Sequence, residues 1–401
     1  MTRNVTFLVT IKTTVFNVVR YPVLLFGLIC CILTQYFGSS VVVFNTNIIK
    51  YTKPIHISPN VYRFKKQINI SQVDTATCQG KKLLVYTCNE RCGGWGDRQK
   101  GIVSAFLLAL LSNRTFVIDL QVPCDVNNFI DPNMYDWTKC REYVNTIPEN
   151  DTETVFIGKI ASLIAPLKQE NYTDSWNKTV IIVKISAYER IMNALRKNPI
   201  ADKQIPWLKE YTNIEILNLM LRYLLVPKIT LHQHLKSYIN VSTQGRKKLV
   251  CGHIRIGINP SNPLDDSLGD EYFTRPRQNA VFTTLKQYSD PSKYVVYLAT
   301  DSDEVRNHAK SILPNYINLD RKIVHVDKHS YVNSTESCNG LYTVLFEQYL
   351  LTKCDYLVLT RSNFGANAAY IRGHSKGLFL YYQGRVEPAT LADIQKIYIF
   401  K

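Results

Sequence analysis

The chain has 401 residues, a formal charge of +16, 46% apolar residues and 20% charged ones. That length accommodates two ordinary domains and a tail, and that composition excludes a chain disordered throughout. A basic surplus of this kind suits nucleic acid, an anionic membrane or an anionic substrate, and the topology read next argues against nucleic acid.

Tyr21 to Phe37 carries no charge, and Gly38 to Phe44 can extend it to the length of a membrane span. Arg3, Lys12 and Arg20 precede it, and no Lys or Arg follows before Lys50. The asymmetry predicts a cytosolic tail over 1–20, an uncleaved anchor over 21–44 and the bulk of the chain across the membrane. A cleaved signal peptide is the rival reading, although its lead before the apolar run would be long. Residues 45–77 are polar, lack periodicity and read as a stem. The expected topology is single-pass type II, and the location that the resemblance described below implies is the Golgi membrane, with the endoplasmic reticulum as the alternative.

Asn69, Asn150, Asn171, Asn177, Asn240 and Asn333 each head an N-x-S/T triplet on the far side of the anchor, and are candidate glycosylation sites. Asn113 also heads one, but is expected to sit against buried structure. Eight of the ten cysteines lie beyond the anchor, and an oxidising compartment allows pairs such as Cys124 with Cys140. Cys251 and Cys354 fall in apolar runs and read as free core thiols.

A first domain is expected over 78–244; the resemblance described below makes it the acceptor side. Lys82 to Cys88 reads as a strand, Ile102 to Leu111 as a helix buried on most sides, and Thr115 to Leu120 as the next strand. This is a βαβ unit with parallel strands. Its connection, Gly93-Gly94-Trp95-Gly96-Asp97-Arg98, opens a helix and is a candidate anion site. It is neither a dinucleotide fingerprint nor a P-loop. Between Gln121 and Gln244 the pattern weakens, with a strand over Ile181 to Ile185 and a helix over Ile214 to Leu225.

A second domain is expected over 245–401. Leu249-Val250-Cys251 starts a buried strand that delivers His253 and Arg255 to one face near its carboxyl end, where α/β sheets hold ligands. Arg255 suits a diphosphate because its planar fork pairs with two oxygens. A loop beyond Gly257 carries Asp265 and Asp266. Tyr294 to Ala299 is a strand that ends in Thr300-Asp301, and Ser302 to Leu313 a helix. Lys322 to Val326 reads as a third strand, Gly340 to Thr352 as a helix and Asp355 to Thr360 as a fourth strand. Ser362 to Ala369 then turns into a last helix. The alternation implies a parallel sheet with helices on both faces. Asp301-Ser302-Asp303 spells D-x-D; its second acid falls in a first helical turn, so a nucleobase or ribose role for Asp301 is preferred over a metal.

Four blocks together carry a likeness: H-x-R-x-G at His253 to Gly257, A-T-D-S at Ala299 to Ser302, S-x-F-G-x-x-A-A at Ser362 to Ala369, and G-G-W-G-D-R at Gly93 to Arg98. They resemble the conserved blocks of the α1,2-, α1,6- and protein-O-fucosyltransferase superfamily, above all the xyloglucan-type and related α1,2 enzymes. The likeness covers residues 80–120 and 247–380. It implies an α/β GT-B fold of two facing Rossmann-like domains behind an N-terminal transmembrane helix. It also implies an inverting, metal-independent glycosyltransferase moving fucose from GDP-fucose, as co-substrate, to a glycan or glycoprotein. The donor site implied is Gly94, Gly96, Asp97, His253, Arg255, Gly257, Asp301, Ser362, Asn363, Phe364 and Gly365. Within it, Arg255 would hold the diphosphate and Asp301 the guanosine. Arg255, Asp97, Asp265 and Asp266 are the candidates for catalysis, the acids as general base. Two departures from the pattern stand out: Ile258 follows the H-x-R-x-G block, and Asp97 replaces an Asn. They leave open a transferase for another sugar nucleotide, or a catalytically silent, membrane-anchored glycan-binding protein.

Overall fold

The computed structural model describes residues 77–89, 93–158, 164–169, 176–185, 188–257 and 275–395. The predicted anchor, Asn69, Asn171, Asp265 and Asp266 lie outside them. Among the described residues no helix is long and apolar enough to cross a membrane.

Among the described residues, short and mostly apolar runs form twelve strands: β1 Leu83–Thr87, β2 Thr115–Asp119, β3 Ile130–Pro132, β4 Thr152–Ile157, β5 Val180–Ile185, β6 Leu225–Pro227, β7 Lys248–Ile254, β8 Tyr294–Thr300, β9 Tyr316–Ile317, β10 Tyr356–Leu359, β11 Leu378–Tyr382 and β12 Arg385–Pro388. The helices of eight residues or more are α1 Trp95–Leu111, α2 Tyr188–Leu195, α3 Asn213–Leu224, α4 Ile229–Thr243, α5 Arg275–Lys286, α6 Asp303–Ile312, α7 Ser334–Leu351 and α8 Asn363–Arg372.

These elements build two main sheets. The first has the order β2-β1-β5-β4 and is parallel throughout. The second has the order β12-β11-β10-β7-β8-β9, parallel except for the antiparallel β11–β12 pair. Strand order reverses beside β7, between β8 and β10, and such a switch point opens a crevice at the carboxyl ends. The expected α/β architecture with two parallel sheets is the one observed.

Side-chain caps start the helices that border this crevice. Ser302 Oγ accepts from Val305 N, Asn333 Oδ1 from Glu336 N at 2.9 Å, and Ser362 Oγ from Phe364 N at 3.2 Å. Each satisfies an amide that the first turn would leave open. Gly373, with φ of 77°, closes α8 in the left-handed conformation that favours glycine.

Several expectations are corrected. Lys322 to Val326 forms no strand; the third parallel partner in this part of the chain is the two-residue β9. Cys124 bonds Cys338 and Cys140 bonds Cys78, so the predicted Cys124–Cys140 bridge is absent. The reason is topological: Cys124 lies on the loop that reaches the first turn of α7, whereas Cys78 enters beside Cys140 with Cα atoms 5.5 Å apart. Cys251 and Cys354 are also joined, with Cα atoms 5.9 Å apart, because β10 pairs beside β7 and brings the approach to that strand over Cys251. Asn113 is exposed at the turn after α1, as are the sequon residues Asn150, Asn177, Asn240 and Asn333.

Candidate functional site

A cavity of about 450 Å³ opens over the carboxyl ends of β7 and β8. Its lining draws on the α1 amino terminus (Gly94, Trp95, Gly96, Asp97), the two strand ends (His253, Arg255, Thr300, Asp301), the segment Lys322–Val326, one face of α7, and Arg361 to Phe364. The structure thus brings together nine of the predicted donor residues: Gly94, Gly96, Asp97, His253, Arg255, Asp301, Ser362, Asn363 and Phe364. Gly257 and Gly365 stand behind them.

The end of β7 is pinned amide by amide. Arg255 N donates to Thr360 Oγ1 at 3.0 Å, Ile256 N to Asp301 Oδ1 at 2.7 Å, and Gly257 N to Asp301 Oδ2 at 2.7 Å. The same Oδ2 accepts from the Arg255 guanidinium. Asp301 is therefore the fastening of the β7 turn and the fixed counter-ion of Arg255. Two amides and a guanidinium fill three of its roughly four lone-pair sites, which leaves little capacity for the predicted nucleoside contact. The D-x-D reading weakens for the same reason, and Asp303 is turned to Arg306 at 3.3 Å. Gly257 is explained likewise: its φ of 88° lets the chain turn so that its amide meets Asp301 rather than a ligand.

His253 is 4% exposed, and its Nδ1 has no hydrogen-bond partner among the described residues. Burial, reinforced by the Arg255 charge, pushes its imidazole down to about 3. The ring is thus neutral at physiological pH and packs against Phe364, with centroids 5.4 Å apart. Gly365 is required by this contact, since a Cβ there would approach His253 Nδ1 to 2.8 Å.

The floor is made where α1 meets α8. A Cβ on Gly96 would lie 2.5 Å from the Asn363 carbonyl carbon and the Phe364 nitrogen, so the two helices touch backbone to backbone. Gly96 is accordingly a packing glycine rather than a phosphate cradle, and its carbonyl accepts from Asn367 Nδ2 at 2.8 Å. Asp97 accepts from Asn363 Nδ2, and the other end of that amide, Oδ1, accepts from Lys100 Nζ at 2.8 Å. Lys100 also pairs with Glu189. Asp97 is therefore turned towards α8 and held there, which answers how a carboxylate tolerates this position.

Sequence reasoning missed two parts of the site. One is a buried amide cluster: Gln99 and Gln348 exchange hydrogen bonds at 2.8 and 2.9 Å, and Trp95 Nε1 donates to Gln348 Oε1 at 2.8 Å. The other is Glu347, which borders the cavity from α7. Burial pushes its carboxyl up to about 7, against the lowering effects of a Tyr297 hydrogen bond and Arg306. A lone acid inside the apolar helix predicted over Gly340 to Thr352 was the available signal. Among the described residues no group of three or more His, Cys, Asp or Glu stands ready for a metal ion.

No family model matches the chain, and no curated protein matches it. Its fold does match solved structures. A GDP complex of an Arabidopsis thaliana FUT1 variant superposes with a TM-score of 0.51 at 16% identity, over 81% of this chain and 75% of that one. NodZ, an α1,6-fucosyltransferase from Bradyrhizobium, gives 0.49 at 14% identity over 78% and 100%. POFUT1 in complex with GDP-fucose gives 0.41 at 11% over 76% and 99%. The fold is thus that of the plant fucosyltransferase, in line with the sequence resemblance.

Proposed function

We propose that the protein is an inverting fucosyltransferase that moves fucose from GDP-fucose to a glycan or glycoprotein, held to the lumenal side of a Golgi membrane by its N-terminal segment. The observation that carries this reading is Arg255, presented at a pinned strand end into a cleft that the first turn of α8 also faces. As the bond from fucose to the diphosphate breaks, negative charge grows on the departing oxygens. A guanidinium already fixed by Asp301 stabilises it without reorganising, and the amino terminus of α8 adds its dipole. Neutral His253 supplies a hydrogen bond beside that charge rather than a second cation. The acceptor hydroxyl loses its proton to a carboxylate. Asp265 and Asp266 are the better candidates, because Asp97 is committed to Asn363. Asp301 and Asp303 are held by protein partners, so the reaction is read as metal-independent. The same reading assigns Asn150, Asn177, Asn240 and Asn333 as glycan carriers. The deciding experiment incubates the purified lumenal part with GDP-fucose and a glycan array. Fucose on a defined acceptor supports the reading; glycan binding without donor turnover, or turnover of a different sugar nucleotide, replaces it.

A further inference from the structure

Along α7, Gly340, Thr343, Val344 and Glu347 all border the cavity. Their spacing of three, four and seven residues puts them on one helical face. That face is uncharged until its last member, and Val324 adds further apolar wall, packing so close to Gly340 that a Cβ there would lie 2.5 Å from it. At the end of this apolar slot stands Glu347, 9% exposed. Its Oε1 accepts the Tyr297 hydroxyl at 2.5 Å, and no other hydrogen bond reaches the carboxylate among the described residues. Arg306 acts on it only from a distance, because its guanidinium is engaged by Asp303 and the Arg321 carbonyl. A buried acid without a cation is costly unless something donates to it. Tyr297 supplies one donor and protonation can relieve the rest, so a ligand entering the slot meets an acid with acceptor capacity to spare.

The geometry points to Glu347 as the group that reads the base of the bound nucleotide, its carboxylate accepting the N1–H and 2-amino donors of guanine between apolar walls. This rests on the nucleotide-sugar reading given above and moves base recognition away from Asp301, which already accepts two amides and a guanidinium. The chemistry selects among bases. Guanine presents two adjacent donors on one edge, and one carboxylate can accept both. Adenine lacks that pair, and uracil flanks its single N3–H with two carbonyl oxygens that a carboxylate repels. The groups facing Glu347 are Tyr297 from β8, Tyr238 from α4, Tyr316 from β9 and Arg306 from α6. Burial raises all three phenols, Tyr316 to about 12, so they stay neutral and Glu347 is the member of the set that titrates near neutrality. Guanine donors favour its ionised form, so binding expels a proton from it.

The test is titration calorimetry on the full chain purified in detergent, with GDP, IDP, XDP and UDP. IDP lacks the 2-amino group, and XDP carries an oxygen there. The wild type is expected to favour GDP over IDP by about tenfold, the worth of one charge-assisted hydrogen bond. Glu347→Gln, whose amide can donate to the 2-oxygen, should weaken GDP by about tenfold or more and rank XDP above it. Tyr297→Phe keeps the carboxylate and should keep the GDP preference. Repeating the GDP titration at about pH 6.5 in two buffers of different ionisation enthalpy should show more proton release from the wild type than from Glu347→Gln. That difference removes the contribution of the diphosphate. Wild type that binds GDP, with the ranking and proton release unchanged in Glu347→Gln, overturns the role of Glu347 alone. Wild type that binds no guanine nucleotide overturns the nucleotide reading, and this inference with it.

Discussion

Asp301→Asn is the substitution that separates the two roles open to this acid. The carboxylate accepts two backbone amides at 2.7 Å and the Arg255 guanidinium. The asparagine oxygen can keep one amide, but its NH₂ then faces the other amide or the guanidinium, donor against donor. Hydrogen bonds to a charged group contribute about 1.5–3 kcal/mol each, so the β7 turn loses on the order of 3 kcal/mol and Arg255 loses its anchor. Arg255→Ala should cost about 3 kcal/mol of transition-state stabilisation, or ~100-fold in kcat/KM, and Arg255→Lys should recover only part of that. If Asp301 acts through Arg255, the double variant stays near ~100-fold, because the second change removes a fastening with nothing left to fasten. An independent nucleoside contact would instead multiply the losses, towards ~10⁴-fold. The assay is GDP-fucose turnover for wild type, both single variants and the double variant, each corrected for folded fraction by thermal melting. Losses that multiply would refute the fastening argument and return Asp301 to the nucleoside.

Four further outcomes are expected. Gly96→Ala places a Cβ 2.5 Å from the α8 backbone and should cost about 1–3 kcal/mol, seen as a Tm lower by several degrees, whereas Gly94→Ala, whose Cβ meets nothing within 4 Å, should leave Tm unchanged. Donor turnover should survive EDTA, since Asp301 and Asp303 are engaged by arginines and amides; loss that Mn²⁺ alone restores would contradict this. Glu347 is raised in the fold from 4.5 to about 7, so the folded state holds its proton where the unfolded chain has lost it. The resulting stability is complete below about pH 4.5 and lost as pH rises through about 7, up to ~3 kcal/mol, and denaturant melts across that window should slope downward for wild type relative to Glu347→Gln. A C-terminal tag should resist protease in sealed microsomes until detergent is added, the outcome that the charge asymmetry around residues 21–44 predicts.

What the sequence made legible was local. His253 and Arg255 share a face because strands alternate, and Ser362 begins a helix because its hydroxyl caps the next turn; both arguments need only a few neighbouring residues. What it hid were partnerships chosen by topology. Asp301 looked available for a ligand because nothing in A-T-D-S reveals that the amides of Ile256 and Gly257 arrive beside it. Cys124 looked matched to Cys140 because they are near in sequence, while its true partner Cys338 is 214 residues away. The helix read over Gly340 to Thr352 gave no sign of the cavity, since periodicity reports that a face is turned from water and not whether protein or a cavity lies against it.

The buried amides show why the cleft needs such distant partners. A purely apolar contact between α1, α7 and α8 would hold in several registers, because dispersion and burial are indifferent to small slides. Gln99, Gln348 and the Asn367 Nδ2 group pair together when the helices stand as they do, with Trp95 and the Gly96 carbonyl included, while Asn367 Oδ1 finds no partner among the described residues. A slide of one residue would leave several buried amide groups unpaired, at a cost of about 1–3 kcal/mol each. Gly96 and Asn363 lie in this same contact, and Asp97 hangs from it. The cluster therefore fixes where the first-sheet half of the cleft sits against Arg255 and the α8 amino terminus. Precision at the site is set by a polar seam whose three amide side chains stand behind the cavity lining.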